Sequence, residues 1–302
     1  MDFDISENQG LRLATVADIV DAAGGPAAET EQLEQKLEAS DVLSDACVLD
    51  RFLVAEELAR IGASSAFGLR ALLADCLPEG LPPGSIAVTE ANRRGPVRFA
   101  NSASSIVVLD GDRTRLYESV ADSVVPAETS FGFTYAHFRP KGEGIRLTEG
   151  SEDILRARWR LAMVAEIAGN ARTAVEKTAD HLVSRVQFGR PLSSLQALRH
   201  RLAEAAVSAE STRWLGREAA FSEDPRAIRR ASWYASDTAA TLVPDLMQMC
   251  GARSFTLEFG LHLFTMRMNS LRLEFGGIDR LGLELAEGNL PHAEHATSGS
   301  RP

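Results

Sequence analysis

A block of short β-rich runs lies between two segments that read as helix, and this order restricts the fold more than any single motif does. From residue 152 onward apolar residues recur at helical spacing in long runs at about 152–187, 194–222, 225–251 and 256–275. Four such runs joined by short turns predict an antiparallel bundle, with Asp224-Pro225 as an N-cap followed by proline at the first helical position. Ahead of the bundle, "PEGLPPG" reads as a linker into the runs "SIAVTEA", "SSIVVLD", "RTRLYES" and "SFGFTYAHF", and Gly111-Asp112 stands where a hairpin turn is needed. At the N-terminus Ser6 and Gln9 have the spacing of a capping box, and Gly24-Gly25-Pro26 stops the helix they open. A charged helix over 29–39 and one or two more over 49–77, with a soft break at 62–65, complete an all-helical quarter. The expectation is a mainly α chain with a small β-domain. It divides into a helical domain at 1–80, the β-domain at 81–150, a four-helix bundle at 151–290 and a disordered polar tail at 291–302.

The chain's 302 residues suffice for a large core. The net charge of −10, spread along the sequence, disfavours a nucleic-acid surface. No apolar signal region opens the chain and no run reaches membrane-spanning length, so no membrane span is expected and cytoplasm is the default location. Cys47, Cys76 and Cys250 form no metal or disulfide pattern and are expected to be reduced, mostly packed thiols. No two of the six histidines stand at i, i+4 on a helix, and neither a GxSxG elbow nor a phosphate-binding GxxxxGK[ST] loop is present.

Two stretches carry candidate binding chemistry. "SRVQFGRPLSSLQ" places Arg185, Phe188, Gly189 and Gln196 between two helices, where an arginine fork and an amide could reach one anionic ligand. The plainer reading makes Arg185 a helix C-terminal cation and Phe188 the filling of a corner. "QMCGARSF" puts Gln248 and Gly251 at a helix end, which is equally a glycine C-cap. Glu166, alone in the apolar stretch "MVAEIAGN", reads more readily as a capped or solvated glutamate than as a base.

Together with the three-part order, these stretches resemble the acyl-CoA dehydrogenase family, whose "R-x-x-F-G-x-x-(x)4-Q" signature matches Arg185, Phe188, Gly189 and Gln196. Its "Q-x-x-G-G-x-G-[FY]" signature matches Gln248, Gly251 and Phe255, with Ala252 and Ser254 in place of two glycines. The resemblance covers 152–276 best and 84–150 less closely. It implies an N-terminal helical domain, here shortened, a middle β-domain and a C-terminal four-helix bundle. It also implies that Arg185, Phe188, Gln196, Gln248 and Gly251 clasp the adenosine diphosphate half of an FAD whose flavin lies in a neighbouring subunit. Family enzymes abstract an α-proton with a glutamate at one of two places, which fall here on Trp159 and Gly276; neither can accept a proton, and Glu274 stands about 200° of helix away from the second place. The β-domain is reduced: Thr89-Glu90 of the "T-E-P" loop survives, but about half of the flavin cradle is absent. These departures resemble the shorter subunit of the heteromeric, α2β2 dehydrogenases that bacteria use on bulky acyl-CoA thioesters, notably from steroids. A longer partner would then supply the glutamate. The alternative is a flavin-free scaffold or regulatory subunit of such a complex, and a weaker one is a homotetramer with a displaced base such as Glu166.

Overall fold

A computed structural model describes residues 5–118 and 120–289. The tail expected at 291–302 lies outside the described residues.

Helix α1 (Glu7–Ala22) opens on the reciprocal cap read from the sequence: the Gln9 amide donates to Ser6 Oγ at 3.2 Å and the Ser6 amide to Gln9 Oε1 at 3.0 Å. Val16 and Val20 of α1 pack on Leu33 and Leu37 of α2 (Thr30–Glu38) and on Val54 and Leu58 of α3 (Val48–Arg60). The soft break before α4 (Phe67–Leu73) is real, with Gly62 at φ +80.

The β-domain holds two sheets. One has the order β1 (Ser85–Glu90), β3 (Ala103–Leu109), β4 (Arg115–Glu118) and β7 (Ile145–Arg146); the other has β2 (Val97–Arg98), β6 (Tyr135–Phe138) and β5 (Val124–Ala127). β1 and β3 run parallel, whereas β3 and β4 form the hairpin predicted at Gly111, pairing Val108 with Arg115 and Ser105 with Glu118. Side chains alternate as a pleated strand requires: Ile86, Val88, Val107, Leu109 and Leu116 face the helices, while Ala87 and Ile106 lie between the sheets with Val97 and Ala136. The two-residue strands β2 and β7 are too short to leave a period in the sequence.

The long runs become α5 (Ser151–Ser184), α6 (Gln196–Ser222) and α7 (Pro225–Cys250), the last capped by Asp224 as expected. α5 is central, packing against α3, α6, α7 and also α8 (Leu261–Leu271), and every residue from Trp159 to Ala171 is buried. Such a helix must be apolar or internally paired on all sides. The fourth run ends earlier than its periodicity indicates. α8 stops at Leu271, the chain turns through 272–276, and a further helix, α9 (Gly277–Asn289), packs on α7. Successive left-handed glycines, Gly276 at φ +81 and Gly277 at φ +84, make the break that hydrophobic spacing does not register. The thiols also differ from expectation, since only Cys250 is buried; Cys76 is intermediate and Cys47 exposed, all three being free. No described helix is long and apolar enough to cross a membrane.

Candidate functional site

Antiparallel packing gathers the motif residues at one end of the bundle. α5 runs out into Arg185, α6 begins with Gln196, and α7 closes with Gln248 in its last turn and Gly251 as its cap. Side chains tie these ends together: Cys250 Sγ donates to Thr178 Oγ1 at 3.6 Å, and Arg201 Nε of α6 to Asp245 Oδ1 of α7 at 2.8 Å. Arg185 is indeed the C-cap of α5, its amide donating to the His181 carbonyl at 2.9 Å, but its side chain is exposed and meets no carboxylate among the described residues.

Phe188 fills no corner. It is 87% exposed and sits at φ +54 beside Gly189 at φ +76, the two central residues of a tight hairpin between β8 (Val186–Gln187) and β9 (Arg190–Pro191). A hairpin turn with both central φ positive suits Asn-Gly, and a bulky aromatic there is strained. Strain that exposes an aromatic ring is the kind kept for contact with something else. Gln196, Gln248 and Gly251 are likewise exposed, and Gly251 has φ +58 with open space where a Cβ would stand. The turn Gly251–Phe255 carries one residue that spacing did not single out, Arg253. Arg253 lies over the Phe259 ring at 5.0 Å, and that ring is 5.5 Å from the ring of buried His181. Burial, then Arg253 and Arg185, push the His181 imidazole below its ordinary pKa.

The second cluster lies in the interior, where the β-domain meets α5 and the turn after α8. Trp159 Nε1 donates to Glu274 Oε2 at 2.9 Å, Arg98 Nε to Glu274 Oε1 at 2.5 Å, and Arg98 Nη1 to Glu166 Oε2 at 2.8 Å. The Arg98 guanidinium stacks on Phe99 and Phe133, and Trp159 packs on Phe275 with ring centroids 4.4 Å apart. Arg267 approaches Phe133 from α8 and donates to the carbonyls of Gly62, Ala63 and Gly132.

Two expectations are corrected here. Glu166 is neither capped nor solvated; it is buried and ion-paired. Glu274 is not turned away by helical geometry, because 272–276 is not helix, and it points at Trp159 itself. Burial pushes the Glu166 carboxyl up to about 7 despite Arg98. Burial would lower Arg98, but Glu166 and Glu274 together hold it above its ordinary value, whereas burial pushes Arg267 down to about 10. Beside Glu166 and Asn170 the cavity measures about 10 Å³, room for about one water molecule. Arg98, the hub, was missed because a single arginine in "GPVRFAN" carries no spacing signal. Glu90 of the surviving Thr89-Glu90 pair is also engaged, accepting from Arg156 and, at 2.9 Å, from Arg280. No group of residues suited to hold a metal ion occurs among the described residues.

Known proteins share the fold. Residues 147–288 match the family model for the acyl-CoA dehydrogenase C-terminal domain. Acyl-CoA dehydrogenase IpdE2 of Mycobacterium tuberculosis is 33% identical over 107 residues, 35% of this chain and 34% of that protein, so the match spans about a third of the curated relative. In the crystal structure of the ChsE4-ChsE5 complex from Mycobacterium tuberculosis, one chain superposes with a TM-score of 0.81 at 18% identity, over 96% of this chain and 100% of that one. The Tcur3481-Tcur3483 steroid ACAD G363A variant gives 0.72 at 20% identity, over 94% and 99%. At these identities the structural likeness establishes the fold.

Proposed function

We propose that this chain, whose residues 147–288 match the acyl-CoA dehydrogenase C-terminal domain and whose fold is that of the acyl-CoA dehydrogenases, is the short subunit of a heteromeric FAD-dependent enzyme that desaturates bulky acyl-CoA thioesters, steroid-derived ones among them. The observation that carries the proposal is the closed interior cluster: where the family places its base, this chain has Trp159 hydrogen-bonded to Glu274, and Arg98 occupies the carboxylate's other oxygen. No carboxylate there is free to take a proton from carbon, so a longer partner supplies the glutamate.

The open end of the bundle has the opposite character, and its residues fit a dinucleotide. Two guanidiniums without carboxylate partners among the described residues, two exposed amides and a glycine with an open Cβ position suit an anionic diphosphate. In this reading Arg185 grips the diphosphate, Phe188 offers its exposed ring, Gln196 and Gln248 donate amide hydrogens, and Gly251 lets the ligand approach the backbone. FAD, when bound, supplies the two-electron acceptor for the desaturation. The names of the similar proteins, an acyl-CoA dehydrogenase, a two-component complex and a steroid ACAD, support the substrate class and the heteromer.

The test is to purify the chain alone and with a longer family subunit encoded beside it, and to record visible spectra and acyl-CoA-dependent dye reduction. Flavin and activity should appear only in the pair. A yellow, active homo-oligomer of this chain would sink the proposal, and an active pair whose flavin content ignores Arg185 would favour the scaffold reading.

A further inference from the structure

Many arginines in this acidic chain are neutralised in place. Arg51, Arg60, Arg70, Arg98, Arg156, Arg158, Arg160, Arg217 and Arg280 all form ion pairs. Arg185 and Arg253 do not among the described residues; the Arg185 amide donates to the His181 carbonyl, and Arg253 lies over the Phe259 ring that packs on the same buried histidine. Arg253 is also positioned rather than loose. The turn Gly251–Phe255 is pinned by Ser254 Oγ donating to the Gly251 carbonyl at 2.7 Å and by the Thr256 amide donating to the Arg253 carbonyl at 3.1 Å, and the guanidinium rests on Phe259. His181 beneath them is 5% exposed, and its Nδ1 meets no partner among the described residues.

Two cations brought to the same end of the bundle without carboxylate partners among the described residues repel each other, and a bound anion would remove that cost. We infer that Arg253 is a second cationic ligand for the diphosphate of the bound nucleotide, acting with Arg185. This inference rests on the proposed FAD clasp and adds a residue that the clasp motif leaves variable. It also accounts for Ala252 and Ser254. A turn without those glycines offers less room for backbone amides to approach a phosphate, and a guanidinium reaching outward compensates for the lost contacts.

A diphosphate could come from FAD or from CoA, and the inference commits to FAD. The probe is ADP titrated by equilibrium dialysis into the flavin-free complex of this chain with the longer subunit, with FAD and CoA as competitors. Arg253→Met keeps an unbranched stem over Phe259 while removing charge, so its melting temperature should match wild type. Its ADP affinity should fall about tenfold, Arg253→Lys should recover part of the loss, and Arg113→Met at the distant hairpin should change nothing. FAD should displace ADP at lower concentration than CoA does. Loss of affinity in Arg185→Met but not in Arg253→Met would overturn this inference and leave the clasp standing. No ADP binding, or binding indifferent to both arginines, would overturn both. Displacement by CoA in preference to FAD would overturn the flavin assignment.

Discussion

Glu166 shows how much a single buried carboxyl can set. Its pKa moves from 4.5 to about 7 on folding because burial disfavours its charge more than Arg98 favours it. The folded state therefore binds the proton more tightly than the unfolded one. Stability from this group is full below its unfolded value and is lost as pH rises through 7, by about 3 kcal/mol in all. His181 works the other way, since a depressed imidazole pKa adds stability as pH rises, so only a difference isolates Glu166. Wild type minus Glu166→Gln, measured by urea unfolding from about pH 5 to 8, should fall steadily with pH; a flat or rising difference would show that Glu166 stays ionised throughout. At the other site Arg185→Ala should weaken FAD retention by the assembled complex about tenfold to a hundredfold, the value of one charge-assisted hydrogen bond of roughly 1.5 to 3 kcal/mol. Flavin titration of the apo-complex reads it, and unchanged affinity would exclude the clasp. The sequence pointed to Arg185 because its motif is local. It could not point to Arg98, whose partners stand 68 and 176 residues away.

Among the elements, helices defined by caps or long periods were readable, as α1, α6 and α7 show, and those defined by tertiary contact were not. α9 follows a break made by two glycines, and β2 and β7 exist only because neighbours supply their hydrogen bonds. The same dependence on neighbours fixes how α3 crosses α5. A Cβ at Gly169 would stand 2.2 Å from the Glu56 carbonyl and 2.7 Å from the Arg60 amide, both backbone atoms that cannot swing aside. Next to that crossing, Arg217 of α6 grips Glu56 through two bonds of 3.1 Å, so the three helices share one rigid joint. Gly169→Ala should cost about 1 to 3 kcal/mol or more through overpacking, despite the better helix propensity of alanine. Chemical denaturation measures this directly, and a neutral or stabilising result would mean that α3 and α5 are free to separate.

For the molecule as a whole, polarity is distributed in a way that a lone subunit does not explain. Charged groups that could be solvated are buried, as Arg98, Glu166, Glu274, Glu56 and Arg217 show, while large apolar side chains stand exposed at the end of the bundle that carries the arginine pair. Val183, Val186, Phe188, Phe255 and Leu257 come from the end of α5, its hairpin and the turn after α7, and Val207 and Phe221 continue the exposure along α6. Scattered apolar residues are ordinary on a surface, but several converging on one end from separate elements suit the interface that the proposed heteromer requires. The isolated chain should therefore self-associate with rising concentration in sedimentation velocity, and coexpression with the longer subunit should replace that behaviour with one discrete species. Leu257→Ser should reduce the self-association because it removes one of the most exposed of these side chains without touching a proposed ligand contact. Leu11→Ser, also apolar and exposed but on α1, should not. If the chain alone remains monomeric, or if both substitutions act alike, the exposed end is not an interface and the proposed heteromer would need another face.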